Sequence, residues 1–267
     1  MPSATPPTAT DFRDAERELQ GWKGTVRRLD GGRLVTNRRF VRLLACNQVL
    51  IGPTDPPVAW AEIRESAEPT LDSLRIRGRR VTLFGEETRH RLSYDLGAEG
   101  YRPRPVYLLA FRGIHSPPRN QVSLDIRQLD PFLLAARYAL QSRLEQERFG
   151  ESAEASDAAA QFMEHALGSG RRGYVALAGR QLAGASDLVR VGTLRSLEEV
   201  GTAPEWRGQG IGAALVSRAT QEAFGEGARG LFTTTSSLNL EAGFLRPLGF
   251  ERTAMLSVFE RGTGLRT

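Results

Sequence analysis

The stretch that decides the fold is Arg207-Gly208-Gln209-Gly210-Ile211-Gly212. It follows a strand-like run at residues 197–203 and precedes a helix-like run at residues 211–224. Pro204 is expected to end the strand, because proline cannot donate a ladder hydrogen bond. The glycines allow a tight turn, and the bare N–H groups and dipole of the helix start attract an anion. The sequence therefore predicts a phosphate or pyrophosphate site.

Two familiar phosphate-binding loops do not fit this stretch. A P-loop needs a lysine directly after its last glycine, and no lysine follows here. A dinucleotide-binding loop needs Gly-x-Gly-x-x-Gly and an acidic residue further along, whereas the spacing here is Gly-x-Gly-x-Gly. The sequence therefore argues against a nucleoside triphosphatase and against a dinucleotide enzyme.

The loop instead resembles the Arg/Gln-x-x-Gly-x-Gly/Ala signature of the GNAT superfamily of acetyl-CoA-dependent N-acyltransferases, matched by Arg207, Gly210 and Gly212. Residues 200–206 resemble the strand that precedes the loop in that family, and residues 239–250 resemble its second motif, which ends in Gly-Phe. The resemblance covers about the C-terminal half of the chain. It implies an α+β fold with a mixed α/β sheet, a transferase activity and acetyl-CoA as co-substrate, without a metal.

Composition narrows the class of protein. The chain has 267 residues, 40% of them hydrophobic, and no apolar run of membrane-spanning length. Its 36 Lys+Arg against 31 Asp+Glu give a net charge of +5, but the charges are scattered, so nucleic-acid binding is not favoured. The single cysteine and three isolated histidines predict neither a disulfide nor a metal site. We expect a cytoplasmic protein that does not bind a membrane.

The chain is long enough for two domains. The start is poor in bulky apolar residues, so residues 1–20 are predicted to be a disordered tail. Residues 21–115 are predicted to be a smaller α/β domain, residues 115–119 a linker, and residues 120–267 the GNAT-like domain. Both halves of the chain contain the same order of features: a helix, a glycine followed by an aromatic residue, a long strand and an Arg-Gly pair. The first half is either a degenerate GNAT-like unit without the coenzyme loop or similar by chance.

The resemblance also implies roles for residues of the site. The strand before the loop would pair with the pantetheine arm and polarise the thioester through Val200, Gly201 and Thr202. The pyrophosphate would be held by the N–H groups of Gly208, Gln209, Gly210, Ile211, Gly212 and Ala213. Arg207 would contact a phosphate or cap the loop, and Asn239 would bond the pantetheine or only cap its helix.

Two glutamates are candidates for the general base that deprotonates the acceptor ammonium. Glu198 and Glu199 lie on the strand that leads to the loop, where adjacent side chains should point to opposite faces. Bases in the family commonly lie an even number of residues before the position of Thr202. This parity favours Glu198 and predicts that the other glutamate is a surface charge.

One departure from the family opens a second hypothesis. Many members have a tyrosine just before the final Gly-Phe as general acid, but residues 243–250 contain none. The first hypothesis is an N-acetyltransferase that transfers acetyl directly to a primary amine, of a small molecule or a peptide, in a ternary complex. The second is a non-catalytic acyl-CoA-binding sensor or interaction module. The acceptor and the choice between monomer and homodimer stay open.

Overall fold

A computed structural model of the chain describes residues 5–113, 122–149, 153–166 and 170–262. The predicted linker at residues 115–119 lies outside them. The helices of the described part are α1 (Ala9–Gly21), α2 (Trp60–Ser73), α3 (Glu86–Ala98), α4 (Leu134–Phe149), α5 (Ala153–Ala166), α6 (Ile211–Gly225) and α7 (Leu238–Leu240). None of these described helices combines the length and the apolar character needed to cross a bilayer.

The strands are short at the start of the chain and longer towards its end. They are β1 (Thr25–Leu29), β2 (Gly32–Thr36), β3 (Gln48–Ile51), β4 (Arg79–Phe84), β5 (Arg102–Phe111), β6 (Asp125–Gln128), β7 (Arg171–Ala178), β8 (Gln181–Val191), β9 (Leu194–Thr202), β10 (Gly230–Thr235) and β11 (Phe250–Arg261). Parallel and antiparallel pairs both occur, which confirms the predicted α+β class with a mixed sheet.

The chain forms two compact units. Unit 1 contains the residues up to Phe12 and residues 109–253, and its strands follow the order β10-β9-β8-β7-β6. Unit 2 contains residues 13–108 and the chain from Ala254, and its strands follow the order β1-β2-β3-β4-β11. The end of β11 therefore belongs to unit 2, although the sequence places it in the GNAT-like domain.

The predicted disordered tail is wrong for residues 9–20, which lie in α1. Thr8 and Asp11 cap the helix reciprocally, since Thr8 N donates to the carboxylate (2.7 Å) and Asp11 N donates to the Thr8 hydroxyl (3.2 Å). Phe12 and Leu19 are buried on one side of α1. In unit 1 the Phe12 ring lies 5.9 Å from that of Phe232. This burial offsets the conformational entropy lost on ordering the segment. The polar start of the chain had suggested that too little apolar surface was available for this.

Two helices cover opposite faces of the unit 1 sheet. Gly184 of β8 faces α6, because a Cβ on it would lie 2.9 Å from Ile211. Its neighbour Ala185 packs in a cluster with Leu140 of α4. Adjacent residues of a strand point to opposite faces, so α4 and α6 sandwich the sheet. The face under α4 and the face under α6 are named the α4 face and the α6 face below.

A capping residue and a proline mark the start of the helical segment that leads into α4. Asp130 accepts hydrogen bonds from the backbone N–H groups of Phe132 (2.9 Å) and Leu133 (3.2 Å), and Pro131 occupies the first turn. The cap therefore defines where the helical segment that leads into α4 begins.

Unit 2 has a core of its own. Helices α2 and α3 cover one face of its sheet with a large apolar cluster that includes Ile63, Leu92 and Phe259. Helix α2 was not predicted from the sequence, and it contains Pro69, a residue that disfavours helix interiors. The parallel pair β3 and β4 is joined through α2, just as β9 and β10 are joined through α6.

Candidate active site

Strands β9 and β10 separate before β9 ends. Their parallel pairing runs from Leu194 opposite Gly230 to Ser196 opposite Phe232. One residue further on, the Thr233 hydroxyl donates to the Leu197 carbonyl at 2.8 Å. Residues 198–202 continue in β9 and are half-buried. This edge of β9, which includes Val200, Gly201 and Thr202, therefore has backbone groups available to an extended ligand arm.

A β-bulge lies in the separated part of β9. Glu199 and Val200 together lie opposite the single residue Ser186 of β8. Glu199 has a φ of 51°, in the left-handed region that glutamate rarely adopts. The bulge interrupts the alternation of side chains along the strand, so the faces of its residues cannot be obtained by counting.

Both candidate bases point to the α4 face because of this bulge. Glu198 lies directly opposite Asp187, whose carboxylate contacts Arg137 of α4, and cross-strand partners point to the same face. Glu199 accepts a hydrogen bond from Gln141 Nε2 of α4 at 3.1 Å. The prediction that one of the two glutamates is a surface charge is therefore wrong. The parity argument for Glu198 falls with it.

A buried cluster of charged side chains, centred on Asp187, lies on the same α4 face as the two glutamates. Asp187, 1% exposed, accepts from Arg171 Nη1 at 2.8 Å and lies 3.4 Å from Arg137 Nη2. Burial acts to lower the pKa of Arg171, but the negative charges of Asp187, Glu198 and Glu199 outweigh it and raise that pKa. Arg171 is therefore charged, and its charge balances the carboxylates on the α4 face.

The glycine loop ends on the open start of α6. Gly208 and Gly210 have φ values of 77° and 85°, which confirms that the turn needs glycine. Gly210 is the N-cap, so no side chain caps α6, and its first turn holds no acidic residue. A Cβ on Gly208 would meet nothing within 4 Å. The first N–H groups of α6 have no intrahelical partner, and this arrangement suits an anion.

The third glycine of the loop is explained by packing. A Cβ on Gly212 would lie 3.1 Å from Phe244 Cζ and 3.5 Å from the Thr202 hydroxyl. Phe244 belongs to a π-helical turn, Glu241–Leu245, which directly follows α7. Phe244 is thus half-buried against the loop. It carries no acidic proton, so Phe244 cannot act as the general acid that a tyrosine supplies in many members of the family.

Comparison with known proteins agrees with this geometry. The family model "Acetyltransferase (GNAT) family" matches residues 137–250. Residues 137–250 form a GNAT domain. A search of the curated proteins gives no match.

Solved structures show the same fold over more of the chain. A GCN5-related N-acetyltransferase from Kribbella flavida has a TM-score of 0.66 at 20% identity, covering 98% of each chain. One from Sphaerobacter thermophilus has a TM-score of 0.60 at 15% identity, covering 98% of this chain and 96% of that chain. A conserved protein of unknown function from Staphylococcus epidermidis has a TM-score of 0.68 at 12% identity, with coverages of 89% and 93%. These likenesses concern the fold, and the family supports acyl transfer in general.

Arg207 of the GNAT domain has a protein partner. Its Nη1 and Nη2 each lie 2.5 Å from an oxygen of Glu147 on α4. This hydrogen bond is the main cause that lowers the pKa of Glu147 and raises that of Arg207. A second pair joins Arg143 to Glu205 at 3.0 Å. Both pairs are exposed, so a phosphate can compete with Glu147 for the guanidinium.

Asn239 of the GNAT domain does not cap its helix. The N-cap of α7 is Ser237, whose hydroxyl accepts from Leu240 N at 3.2 Å. Asn239 is the second residue of α7 and is exposed. The alternative that Asn239 is only a cap is therefore wrong, and its side chain is free to reach a ligand.

Sequence reasoning missed the residues of α4 that meet β9. Arg137 and Gln141 lie far from the glycine loop in sequence, and no motif marks them. Their spacing of four residues, continued by Glu145, places them on one side of a helix. The polar stripe that these residues form on one side of the helix was the available signal.

Proposed function

We propose that the protein is an N-acetyltransferase that transfers acetyl from acetyl-CoA to a primary amine in a ternary complex. The observation that carries this proposal is the continuity of the free β9 edge, residues 198–202, with the open N-terminus of α6. In this arrangement the extended arm would bind along the strand and the pyrophosphate of the same coenzyme molecule would bind at the helix start.

The residues divide between the two parts of the coenzyme. The pantetheine arm and thioester would bind Val200, Gly201, Thr202 and Asn239. The pyrophosphate would bind the N–H groups of Gly208, Gln209, Gly210, Ile211, Gly212 and Ala213, with Arg207 beside them. The open space over Gly208 fits this assignment.

The reaction needs a base near the amine that receives the acetyl group. The amine nitrogen attacks the thioester carbonyl, its proton passes to Glu198 or Glu199 directly or through water, and the C–S bond then breaks. The coenzyme thiolate leaves and takes a proton from solvent, because Phe244 cannot supply one. Carboxylates on the α4 face also suit an acceptor that arrives as an ammonium ion.

Calorimetric titration of acetyl-CoA tests the coenzyme site. Wild-type protein should bind, and Gly210→Trp should not. Gly227→Trp is a matched control, because Gly227 also has a positive φ (76°), has open space around it and lies beyond the far end of α6. A panel of small amines and peptides then tests turnover. No binding by the wild type would end the proposal.

The alternative is a non-catalytic acyl-CoA sensor or interaction module of the same fold. The observation in its favour is Phe244 at the turn where a tyrosine acid is expected. Tight acyl-CoA binding without turnover of any amine, unchanged by Glu198→Gln, would select this alternative.

We also propose the domain organisation, with unit 2 as a degenerate repeat without a coenzyme loop. The same order of elements supports it: β3-α2-β4-α3-β5 in the first half and β9-α6-β10-α7-β11 in the second. A second acetyl-CoA bound per chain would contradict it. The acceptor as a small-molecule or peptide amine, a monomer or homodimer, and a cytoplasmic location belong to the same proposal.

A further inference from the structure

Gln141 of α4 connects three charged side chains. Its Nε2 donates to Glu145 Oε1 at 2.8 Å and to Glu199 Oε2 at 3.1 Å. Its Oε1 accepts from Arg137 Nη1 at 2.9 Å. Gln141 is 4% exposed, so water does not compete for these bonds. The amide is thus the contact through which α4 reaches the bulge of β9.

Arg137 fixes which way this amide points. A glutamine amide can turn over and exchange its oxygen with its nitrogen, but a guanidinium only donates. The group that faces Arg137 must therefore be the oxygen, and the NH₂ group must face the carboxylates. Arg137 is itself held by Asp187, which is also bound by Arg171. The orientation of the donor to Glu199 is therefore set by buried charges.

Glu199 needs such a contact more than Glu198 does. Its backbone is in the left-handed region, a conformation that persists where the surroundings enforce it. Glu198 is held locally, since Ser196 two residues before it donates to its carboxylate. Glu199 is half-buried and adjoins Val200, at the start of the segment that would hold the thioester. It is thus both restrained and reachable.

We propose that Glu199 takes the proton from the acceptor amine and that Gln141, oriented by Arg137, is its positioning residue. This inference rests on the proposed function. The proton leaves the ammonium nitrogen and forms an O–H bond on the carboxylate, and the reaction needs no further co-reactant. The charged groups around Glu199 are Arg137 and Glu145 of α4, Arg171 of β7, Asp187 of β8 and Glu198 of β9.

Kinetics of two Gln141 variants test the positioning role. Gln141→Leu removes the donor, and Gln141→Glu keeps an acceptor for Arg137 but replaces the donor with an anion. We expect kcat for the best amine of the panel to fall about 30-fold and about 100-fold, respectively. The KM for that amine and the Kd for acetyl-CoA should stay within about twofold, because the binding groups are unchanged. Equal losses in kcat and in acetyl-CoA affinity would overturn the inference.

Ser142→Ala is the matched control on the same helix. Ser142 is also buried, but its hydroxyl donates to Asp157 of α5 at 2.9 Å and not to the site. It should lower stability without changing kcat by more than about twofold. A fall in kcat equal to that of Gln141→Leu would show that any disturbance of α4 has this effect, and would overturn the inference.

A double-mutant cycle connects Gln141 to Glu199. Glu199→Gln should lower kcat about 100-fold or more, and adding Gln141→Leu should cause little further loss, because the group to be positioned is gone. Losses that multiply would mean that Gln141 acts elsewhere. A small effect of Glu199→Gln would remove Glu199 as the proton acceptor.

Absence of turnover would be a failure of the proposed function and is distinguishable from failure of this inference. The ¹³C chemical shift of the Glu199 carboxyl group, measured by NMR, then tests the contact between Gln141 and Glu199 directly. It should move in Gln141→Leu and stay in place in Ser142→Ala. A resonance unchanged in Gln141→Leu would overturn the positioning role whether or not an amine is acetylated.

Discussion

In the described part of the chain, two connections between parallel strands through a helix differ in whether their loops leave backbone N–H groups available to a ligand. The connection from β3 to β4 passes through residues 52–59 and α2, and that from β9 to β10 passes through residues 203–210 and α6, so the loops are equally long. Residues 52–59 contain three prolines, which have no N–H to offer. Residues 203–210 contain two glycines with positive φ.

The charges of the two helix starts differ as well. Asp55 accepts from Gly52 N at 2.7 Å and pairs with the buried Arg17, so the first loop satisfies its own polar groups. Glu62 lies in the first turn of α2, where it complements the dipole and repels an anion. The first turn of α6 has no acidic residue. A strand–helix connection thus becomes a phosphate site only when its own side chains leave the N–H groups free.

The largest effect is expected in the loop at residues 52–59, where Asp55 accepts from Gly52 N and pairs with Arg17. Asp55→Ala leaves the Arg17 guanidinium, whose side chain is 6% exposed, without its carboxylate. Breaking a buried pair in this way should lower the free energy of unfolding by about 3 kcal/mol. Chemical denaturation measures the loss, and the acetyl-CoA affinity of the folded protein should not change. Asp55→Asn, which still accepts from Gly52 N, should be less damaging. An equal loss in both variants would contradict the charge argument.

The next prediction concerns the first turn of α6, where an added acidic residue should repel an anion as Glu62 does in α2. Gly208→Asp adds a carboxylate beside the open helix start, and acetyl-CoA should bind about 100-fold more weakly because like charges repel there. Gly208→Asn imposes the same left-handed strain without the charge. The ratio of the two Kd values, measured by calorimetry, should fall as salt is raised. Equal Kd values would mean that no phosphate lies at this loop.

Short-range signals explain which elements could be predicted from the sequence. Pro204 and the glycines fix the end of β9 and the start of α6 through backbone sterics, and Asp130-Pro131 fixes the start of α4. Helix α1 was mistaken for a tail because its polar composition concealed the buried stripe of Phe12 and Leu19.

The bulge in β9 could not be predicted from neighbouring residues. It depends on the pairing of Ala185 with Gly201 and of Asp187 with Glu198, which brings together positions on different strands. The contact of Gln141 with Glu199 spans 58 residues of sequence. The choice between Glu198 and Glu199 as the proposed base therefore depends on tertiary contacts, whereas the proposed coenzyme loop is marked in the sequence by the hexapeptide and the residues that flank it.

A smaller effect concerns the far end of α6. Its C-cap, Glu226, pairs with Arg172 and lies 3.3 Å from Arg195. The hydrogen bond from Arg172 is the main cause that lowers the pKa of Glu226 from its usual range. Because the folded pKa is below the unfolded one, this stabilisation is present above the unfolded pKa and is lost as the pH falls through the folded pKa.

Glu226→Gln should therefore lower the free energy of unfolding by about 0.5 kcal/mol at neutral pH, since the pair is partly exposed. The difference from the wild type should vanish in acid, and denaturation at a series of pH values measures it. Arg172→Gln should give the same pH dependence. A difference that persists in acid would show that packing, not charge, is responsible.

The smallest effect addresses Arg207, which the coenzyme and Glu147 would share. Glu147→Gln weakens the pair, in which both nitrogen–oxygen distances are 2.5 Å, and removes a negative charge near the proposed phosphate site. Acetyl-CoA should then bind about twofold more tightly at low salt, and the gain should disappear at high salt because both groups are exposed. Glu205→Gln, which releases Arg143 instead, is the matched control and should change the Kd less. If Arg207→Gln left the wild-type Kd unchanged and Glu147→Gln also had no effect, the pair would only tie α4 to the loop. The open N–H groups that distinguish α6 from α2 would then account for phosphate binding without the arginine.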